Sequence, residues 1–306
     1  MPSYTFTPSI LRGAGTRAVP EIPAGSSSTF LVDQFSTNIF GAYSLRKLSS
    51  TYTGSAIQVQ IGSSGATFNA GFDSNGYLDT ASIAAFNTAN AQLFLENWYD
   101  QSGNGNNMDG NQTGRRLQVT DVSGSFFTSS NGNIRLYMNE SSKGNQYINN
   151  VASSFPASGS VSLFGIYFND QSVFQNYEIV LARGTDTTLR PIVLRSDMGS
   201  GIIENKPTNV SQNEMISTTT LNTSSINSIS FIANQNPGIT SLFSNTALAV
   251  TSSTFTIPEI NLFAFPDLSG TAFASEPMEW IIYNADKTSD RVAIETNQND
   301  FYNFSS

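Results

Sequence analysis

Carboxylates are the side chains of this 306-residue chain that could carry out acid–base chemistry, because it has 23 Asp and Glu residues but no His and no Cys. The lack of His and Cys excludes a thiolate nucleophile, a Ser-His-Asp triad and an imidazole metal site. Cleavage of a glycosidic bond needs only two carboxyl groups, which lie about 5–5.5 Å apart in enzymes that retain the anomeric configuration. The composition therefore permits a glycosidase, and we predict no metal site and no cofactor.

The charge pattern argues against several partners. The formal net charge is −9, and charged residues make up 12% of the chain, about half the usual share of roughly 25%. Such a chain lacks the basic face that binding to a phosphate backbone requires. Its apolar runs are far shorter than a membrane span of about 20 residues, and its N-terminus lacks the basic and apolar pattern of a secretory signal. We therefore predict no nucleic-acid partner, no membrane span and no secretory leader.

Short strand-like runs alternate with turn residues from Thr29 onward. Residues Ile57–Ile61 are apolar at every second position, which is typical of a half-buried strand. Gly, Asn, Ser and Asp separate the runs at the spacing of an all-β sandwich. Two short helices are predicted at Asp79–Asn90, with Asp79 as the N-cap, and at Ser289–Phe301. The other predicted strands are 161–168, 177–181, 191–194, 226–232, 241–243, 247–250, 260–265 and 278–283.

The first 30 residues differ from the rest of the chain. Thr5–Leu11 could form a short strand, and frequent Gly, Pro and Ser residues follow it up to Ser28. Such a segment cannot form its own core, so it is either a partly ordered terminus or an attachment arm that lies on a partner. The predicted organisation is thus an arm over 1–30 and a β-sandwich domain over 31–306, of the jelly-roll type.

Three stretches carry a family resemblance: residues 42–57 (AYSLRKLSSTYTGSAI), 98–107 (WYDQSGNGNN) and 279–297, which includes EWIIY and the last helix. Together they resemble the concanavalin A-like domains of bacteriophage virion proteins. More distantly, they are similar to the catalytic domain of the arabinofuranosidase B glycosidases. The resemblance covers residues 31–304, and its most specific part is the stretch 98–107. It implies a two-sheet jelly-roll sandwich of the concanavalin A type, but it does not choose between an enzyme and a virion component.

The resemblance to arabinofuranosidases implies where catalytic carboxylates would lie. The nucleophile of that family is a Glu in an Asp-(Leu/Met)-Glu-Asn stretch, and the nearest match here is Asp197-Met198-Gly199-Ser200. Glycine cannot form a glycosyl ester, so Gly199 removes double displacement. The acid/base Asp of the family corresponds to Asp267, whereas the family's vicinal Cys pair is missing. Glu204 could substitute for the nucleophile, so Asp267 and Glu204 are the candidates if the chain is an enzyme.

The stretch 98–107 has two readings. Asp100, Ser102, Asn104 and Gly105 match the first half of an EF-hand-type calcium loop, but Asn111 stands at the twelfth position, where that loop has a Glu. In the favoured reading, the polar side chains instead tie a tight loop to its own backbone, with glycines at positive φ. Trp98 would then end a buried strand and pack in the core, although a stacking platform for a sugar is the alternative.

The leading functional prediction is a non-enzymatic bacteriophage virion surface protein. It would be a spike, fibre or capsid-decorating component at the virion surface, with the arm bound to capsid or tail proteins. It would form a trimer, in which several weak sites together would bind host glycans with a higher avidity than one site. The alternatives are a glycoside hydrolase of the arabinofuranosidase type and a pure carbohydrate-binding module. The candidate carbohydrate-binding residues are Trp98, Asp100, Asn104, Asp197 and Asp267.

Overall fold

The chain forms 16 strands and three helices over the residues that the computed structural model describes. These residues are 30–304 without 63–64, 111–115, 130, 138–147, 151–158, 170–176, 184–191, 197–201, 206–214, 221, 223, 235–237, 253–261 and 266–274. The helices are α1 (Leu31–Gln34), α2 (Thr80–Phe86) and α3 (Arg291–Tyr302). The strands are β1 (Ile39–Ser44), β2 (Ile57–Ile61), β3 (Thr67–Ala70), β4 (Leu93–Trp98), β5 (Met108–Asp109), β6 (Ile148–Asn150), β7 (Val161–Asn169), β8 (Tyr177–Arg183), β9 (Ile192–Ser196), β10 (Ile202–Asn205), β11 (Met215–Thr220), β12 (Ser225–Asn234), β13 (Ile239–Ser244), β14 (Ala247–Ser252), β15 (Leu262–Phe265) and β16 (Ser275–Tyr283).

The strands form two antiparallel sheets. One has six strands in the order β1-β16-β7-β12-β13-β14, and the other has ten in the order β11-β10-β9-β8-β15-β6-β5-β4-β2-β3. This confirms the predicted all-β, two-sheet sandwich. The strand predicted at Ile57–Ile61 has the predicted bounds, and the other predicted strands have ends that differ by three residues or fewer.

The main core lies between the two sheets. Leu163 and Phe231 from the six-stranded sheet share one buried cluster with Val59, Leu95 and Trp98 from the ten-stranded sheet. Burial of each such side chain stabilises the fold by roughly 1.5–3 kcal/mol. The alternation of apolar residues along β2 thus sets its inner face against this core and leaves its outer face to polar residues.

β7 is buried along its whole length because both of its faces are covered. Phe164 lies on the face away from the ten-stranded sheet, in a second cluster with Tyr283 and with Ile294 of α3. A side chain at Gly165 would place its Cβ 2.4 Å from the ring of Trp280. Glycine is therefore required where β7 passes under that ring.

The two predicted helices are present but shorter than or shifted from their predicted ranges. Asp79 caps α2 as predicted, since its carboxylate accepts the N–H of Ser82 at 3.0 Å. The helix ends at Phe86 because the amide of Asn87 bonds to both backbone groups of Ala91 and turns the chain away. α3 begins after Asp290, whose side chain makes no cap bond, rather than after Ser289.

The predicted arm and the strand Thr5–Leu11 lie outside the described residues, so the boundary near residue 30 stays a prediction. The described chain begins at Phe30 and enters α1, which the sequence did not predict. Leu31 and Val32 of this helix pack into the second cluster. Over the described ranges, each helix is too short or too polar to cross a membrane.

Candidate functional site

The strand ends that precede Asp197 and Asp267 lie at one end of the ten-stranded sheet. β9 and β15 both pair antiparallel with β8, so they run in the same direction and end at the same end of the sheet. Their last residues are Ser196 and Phe265, and Asp197 and Asp267 follow them in the chain but lie outside the described residues. β10, which contains Glu204, pairs with the last part of β9. Glu204 and the strand ends that precede the two Asp residues therefore share one end of four adjacent strands.

The other candidate residues, Trp98, Asp100 and Asn104, lie toward the opposite end of this sheet. Asn97 of β4 is level with Ala264 of β15 through the intervening β5 and β6. Because neighbouring strands alternate in direction, β4 runs opposite to β15, and the chain after Asn97 leads away from the end where β15 stops. Trp98, Asp100 and Asn104 thus lie away from the strand ends that precede Asp197 and Asp267.

Asp100 ties the loop after β4 to itself and to β1. Its carboxylate accepts the N–H groups of Ala42 at 2.9 Å, Ser102 at 2.8 Å and Asn106 at 3.1 Å, and the hydroxyl of Ser102 at 2.8 Å. Gly105 has φ +76°, a conformation that glycine adopts without strain. This arrangement matches the predicted loop that its own side chains stabilise. The donor hydrogens around Asp100 carry positive partial charge, so they do not favour a cation there.

Trp98 and Asn104 have different surroundings. Trp98 is fully buried and packs on Tyr43, with ring centroids 6.0 Å apart, so it belongs to the core. Asn104 is exposed, and its amide donates to the carbonyl of Ile39 at 2.7 Å. Asp100, at 3% exposure, and Trp98, at 0%, present almost no surface to a ligand. A sugar contact at Asn104 stays a prediction.

A row of polar side chains on the outer face of the ten-stranded sheet was not predicted. It consists of Asn69 on β3, Gln58 on β2, Asn97 on β4 and Asp109 on β5, which pair in register across the strands. The amide of Gln58 donates to Asn69 at 2.9 Å, and the amide of Asn97 donates to Gln58 at 2.9 Å. The hydroxyl of Tyr99 also donates to Asn69, at 2.9 Å. We call the four aligned residues the polar row.

A carboxyl group lies next to the polar row. Glu96 is buried, and its Oε1 lies 2.6 Å from Nη1 of Arg116, which also donates to the side chain of Gln60. Burial raises the pKa of Glu96, and the charge of Asp109 raises it further, whereas Arg116 opposes the increase. A register shift in the pairing of β2 with β4, after Gln58, brings Glu96 and Asn97 to the outer face together. The sequence could have indicated only the β2 part of this site, because the alternation in β2 predicts that Gln58 and Gln60 lie on the outer face.

A cleft of about 290 Å³ opens elsewhere on the sandwich, where α3 meets the loop before α2. The rings of Tyr77, Phe126 and Phe301 line it. Beneath it, Arg46 and Glu279 form a buried ion pair at 2.7 Å, and the guanidinium of Arg46 lies 4.7 Å from the centroid of the Phe301 ring. The two charges neutralise each other, and the surface of the cleft is mainly apolar.

Comparison with known proteins identifies relatives by fold. No protein-family model and no curated protein matches the sequence. A GH54 α-L-arabinofuranosidase soaked with a cyclic sulfate inhibitor matches with a TM-score of 0.61 and 13% identity, over 91% of this chain and 66% of that chain. A mutant GH54 enzyme soaked with 4-nitrophenyl α-L-arabinofuranoside matches with a TM-score of 0.62, 13% identity and the same 91% and 66% coverage. An arabinofuranosidase complexed with arabinofuranosyl-α-1,2-xylobiose matches with a TM-score of 0.59 and 14% identity, over 90% and 65% of the two chains.

These neighbours establish the fold and correct two predictions. The chain spans about two thirds of their length, 65–66%. The prediction of a non-enzymatic bacteriophage virion surface protein, and with it the prediction that the chain is not an enzyme, is wrong, because three solved structures that share this fold over about nine-tenths of the chain are arabinofuranosidases. The neighbours give no support to a capsid or tail partner or to a trimer. A location at the virion surface remains untested.

Proposed function

We propose that this chain is a glycoside hydrolase that acts on α-L-arabinofuranosides. The observation that carries the proposal is the shared fold with arabinofuranosidases, at TM-scores of 0.59–0.62 over 90–91% of the chain. The strand arrangement adds support, since the strand ends before Asp197 and Asp267 meet β10 at one end of the sheet. A glycan is then the partner of this sandwich.

Asp267 and Glu204 are the proposed carboxylates of the reaction. Asp267 would protonate the leaving oxygen, and Glu204 would activate the attacking water, since Gly199 offers no nucleophile. A single displacement by water forms no glycosyl-enzyme intermediate and inverts the configuration at the anomeric carbon. The proposal therefore includes inversion at the anomeric carbon.

Hydrolysis of 4-nitrophenyl α-L-arabinofuranoside tests the proposal. The wild-type chain should release 4-nitrophenol, and Asp267→Asn and Glu204→Gln should each lower kcat/KM roughly 100-fold or more, as expected for loss of a general acid or base. Asp300→Asn is the matched control, because Asp300 is an exposed carboxylate on α3, and it should leave the rate unchanged. Proton NMR of the first sugar released should show the β anomer. Turnover that survives both substitutions would contradict the assignment.

A second candidate is a sugar-binding sandwich that does not cleave its ligand. The observation that favours it is Gly199, which stands where the similar family has its nucleophile. Calorimetric titration with soluble arabinoxylan separates the two candidates. Binding without release of 4-nitrophenol from the aryl glycoside would support the second candidate over the first.

A further inference from the structure

The polar row has the geometry of a surface for an extended neutral ligand. Its four residues stand on four adjacent strands and so span three strand spacings, roughly 14 Å. Asn69 is exposed, and Gln58, Asn97 and Asp109 are half-buried. The same register continues to Asn149 of β6 and Ala264 of β15. The row therefore runs across the strands toward β15, the strand that precedes Asp267.

The amides of the row are held in place by one another. Gln58 donates one N–H to Asn69 and accepts one from Asn97. Each primary amide has two N–H groups and two acceptor lone pairs, so these bonds orient the amides and leave further donors and acceptors toward the outer face. Because these side chains are already ordered, they lose less conformational entropy when a ligand binds to them.

The chemistry of the row suits hydroxyl groups. Sugar hydroxyls both donate and accept hydrogen bonds, as amides do, whereas an anionic ligand would face Asp109 and Glu96. The positive charge of Arg116, beside the row, is paired with Glu96 at 2.6 Å. One polar side chain per strand, an amide on β3, β2 and β4 and a carboxylate on β5, repeats at roughly 4.8 Å, a length comparable with one saccharide unit. The half-buried ring of Tyr99 adds an aromatic surface beside Asn69.

We propose that the polar row binds the chain of a neutral polysaccharide, which lies across β3, β2, β4 and β5 and leads toward β15, the strand that precedes Asp267. The identity of the polysaccharide as an arabinose-bearing one rests on the proposed function. The row is a binding surface, separate from the groups proposed to react.

Binding and turnover by the full chain test this surface separately. The double variant Gln58→Ala/Asn97→Ala should bind soluble arabinoxylan at least about tenfold more weakly in calorimetric titration, which equals about 1.4 kcal/mol. It should cleave 4-nitrophenyl α-L-arabinofuranoside like the wild type, because a single sugar unit does not extend to the row. The single variant Gln58→Glu keeps the side-chain length but replaces the donating amide, and it should also weaken binding. The pair Gln34→Ala and Thr251→Ala, which changes exposed polar residues of α1 and β14, should change neither property.

Each outcome bears on one proposal. If the wild type binds arabinoxylan and the double variant does not, the row is supported even when no aryl glycoside is cleaved, and only the hydrolase proposal fails. If the double variant folds and binds as tightly as the wild type, or if the wild type does not bind arabinoxylan, the row proposal is overturned. Circular dichroism and thermal unfolding confirm that a variant is folded. If the double variant does not fold, binding of arabinoxylan by Gln58→Glu decides: weaker binding than the wild type supports the row, and equal binding overturns it.

Discussion

The loop after β4 and the polar row are built from the same kinds of residue but use them in opposite ways. Asp100 accepts four hydrogen bonds within the loop and from β1, and it is 3% exposed. Asn97, only three residues earlier, is half-buried on the outer face and donates to its cross-strand neighbour Gln58. The polar groups of the loop bind the protein's own backbone, whereas the row keeps part of its hydrogen-bonding groups at the surface.

The loop joins the two sheets. Asp100 accepts the N–H of Ala42 in β1, and the N–H of Gln101 donates back to the carbonyl of Ala42 at 2.8 Å. The side chain of Gln101 accepts the N–H of Leu48 at 2.8 Å and donates to the carbonyls of Ser44 and Arg46 at 3.0 Å each. Asp100 and Gln101 follow a strand of the ten-stranded sheet and bind a strand of the six-stranded sheet. The difference from the row teaches that a cluster of Asp, Asn and Ser is a structural connection when buried backbone groups lie opposite it.

The largest expected effect is the loss of stability in Asp100→Ala. The substitution removes four hydrogen bonds and leaves the buried N–H groups of Ala42 and Asn106, and the half-buried N–H of Ser102, without their acceptor. Loss of a buried acceptor for several donors costs on the order of 3–5 kcal/mol of unfolding free energy. Urea unfolding followed by Trp fluorescence measures it. Asp100→Asn retains one carbonyl oxygen and should lose less, and a loss below about 1 kcal/mol in Asp100→Ala would contradict the structural role.

Much of the fold could be predicted because the buried and exposed faces of a strand or helix produce a regular pattern of apolar and polar residues in the sequence. β2 alternates apolar and polar residues, and its bounds agree with the prediction. α2 has a capping Asp79 that bonds as expected, whereas its early end depends on Asn87 folding back onto Ala91. The pairing of β15 with β8 joins segments that are far apart in the chain and that the sequence did not mark as neighbours. Cross-strand partners are set by tertiary packing rather than by local pattern.

The candidate site was less predictable for the same reason. The polar row exists only when Gln58, Asn97 and Asp109 are brought into register, and a register shift after Gln58 breaks the alternation in β4. The resemblance led to Asp100 and Trp98 as sugar contacts because residue types alone do not reveal burial. The functional prediction was wrong in a related way, because Gly199 argues against a glycosidase whereas the fold is shared with arabinofuranosidases.

A pH-dependent effect of intermediate size is expected at Glu96, beside the row. Its pKa is raised above the ordinary value of 4.5, first by burial, so the folded chain holds this proton more tightly than the unfolded chain. The stability that the group contributes is present below its unfolded pKa and is lost as the pH rises through the folded pKa. The unfolding free energy of the wild type minus that of Glu96→Gln should therefore fall between pH 4 and pH 7, as urea unfolding at about four pH values would measure.

Asp79→Asn is the control with the opposite sign. Hydrogen bonds from Ser82 lower the pKa of Asp79, so the difference between wild type and this variant should grow as the pH rises from the acid range. The Asn side chain still caps α2. A wild-type minus Glu96→Gln difference that rises with pH would instead mean that the Arg116 pair outweighs burial.

The smallest effect is expected for Asn97→Ala, and it tests the comparison most directly. The substitution removes one amide–amide hydrogen bond at a half-buried position, and an exchange of this kind costs about 0.5–1 kcal/mol of unfolding free energy. Urea unfolding beside Asp100→Ala, three residues away, gives both values under the same conditions. If the loss in Asn97→Ala equalled that in Asp100→Ala, the row would hold the sheet together as the loop does, and its amides would not be available for a ligand. A small loss of stability together with weakened arabinoxylan binding is the combination that only a binding surface produces.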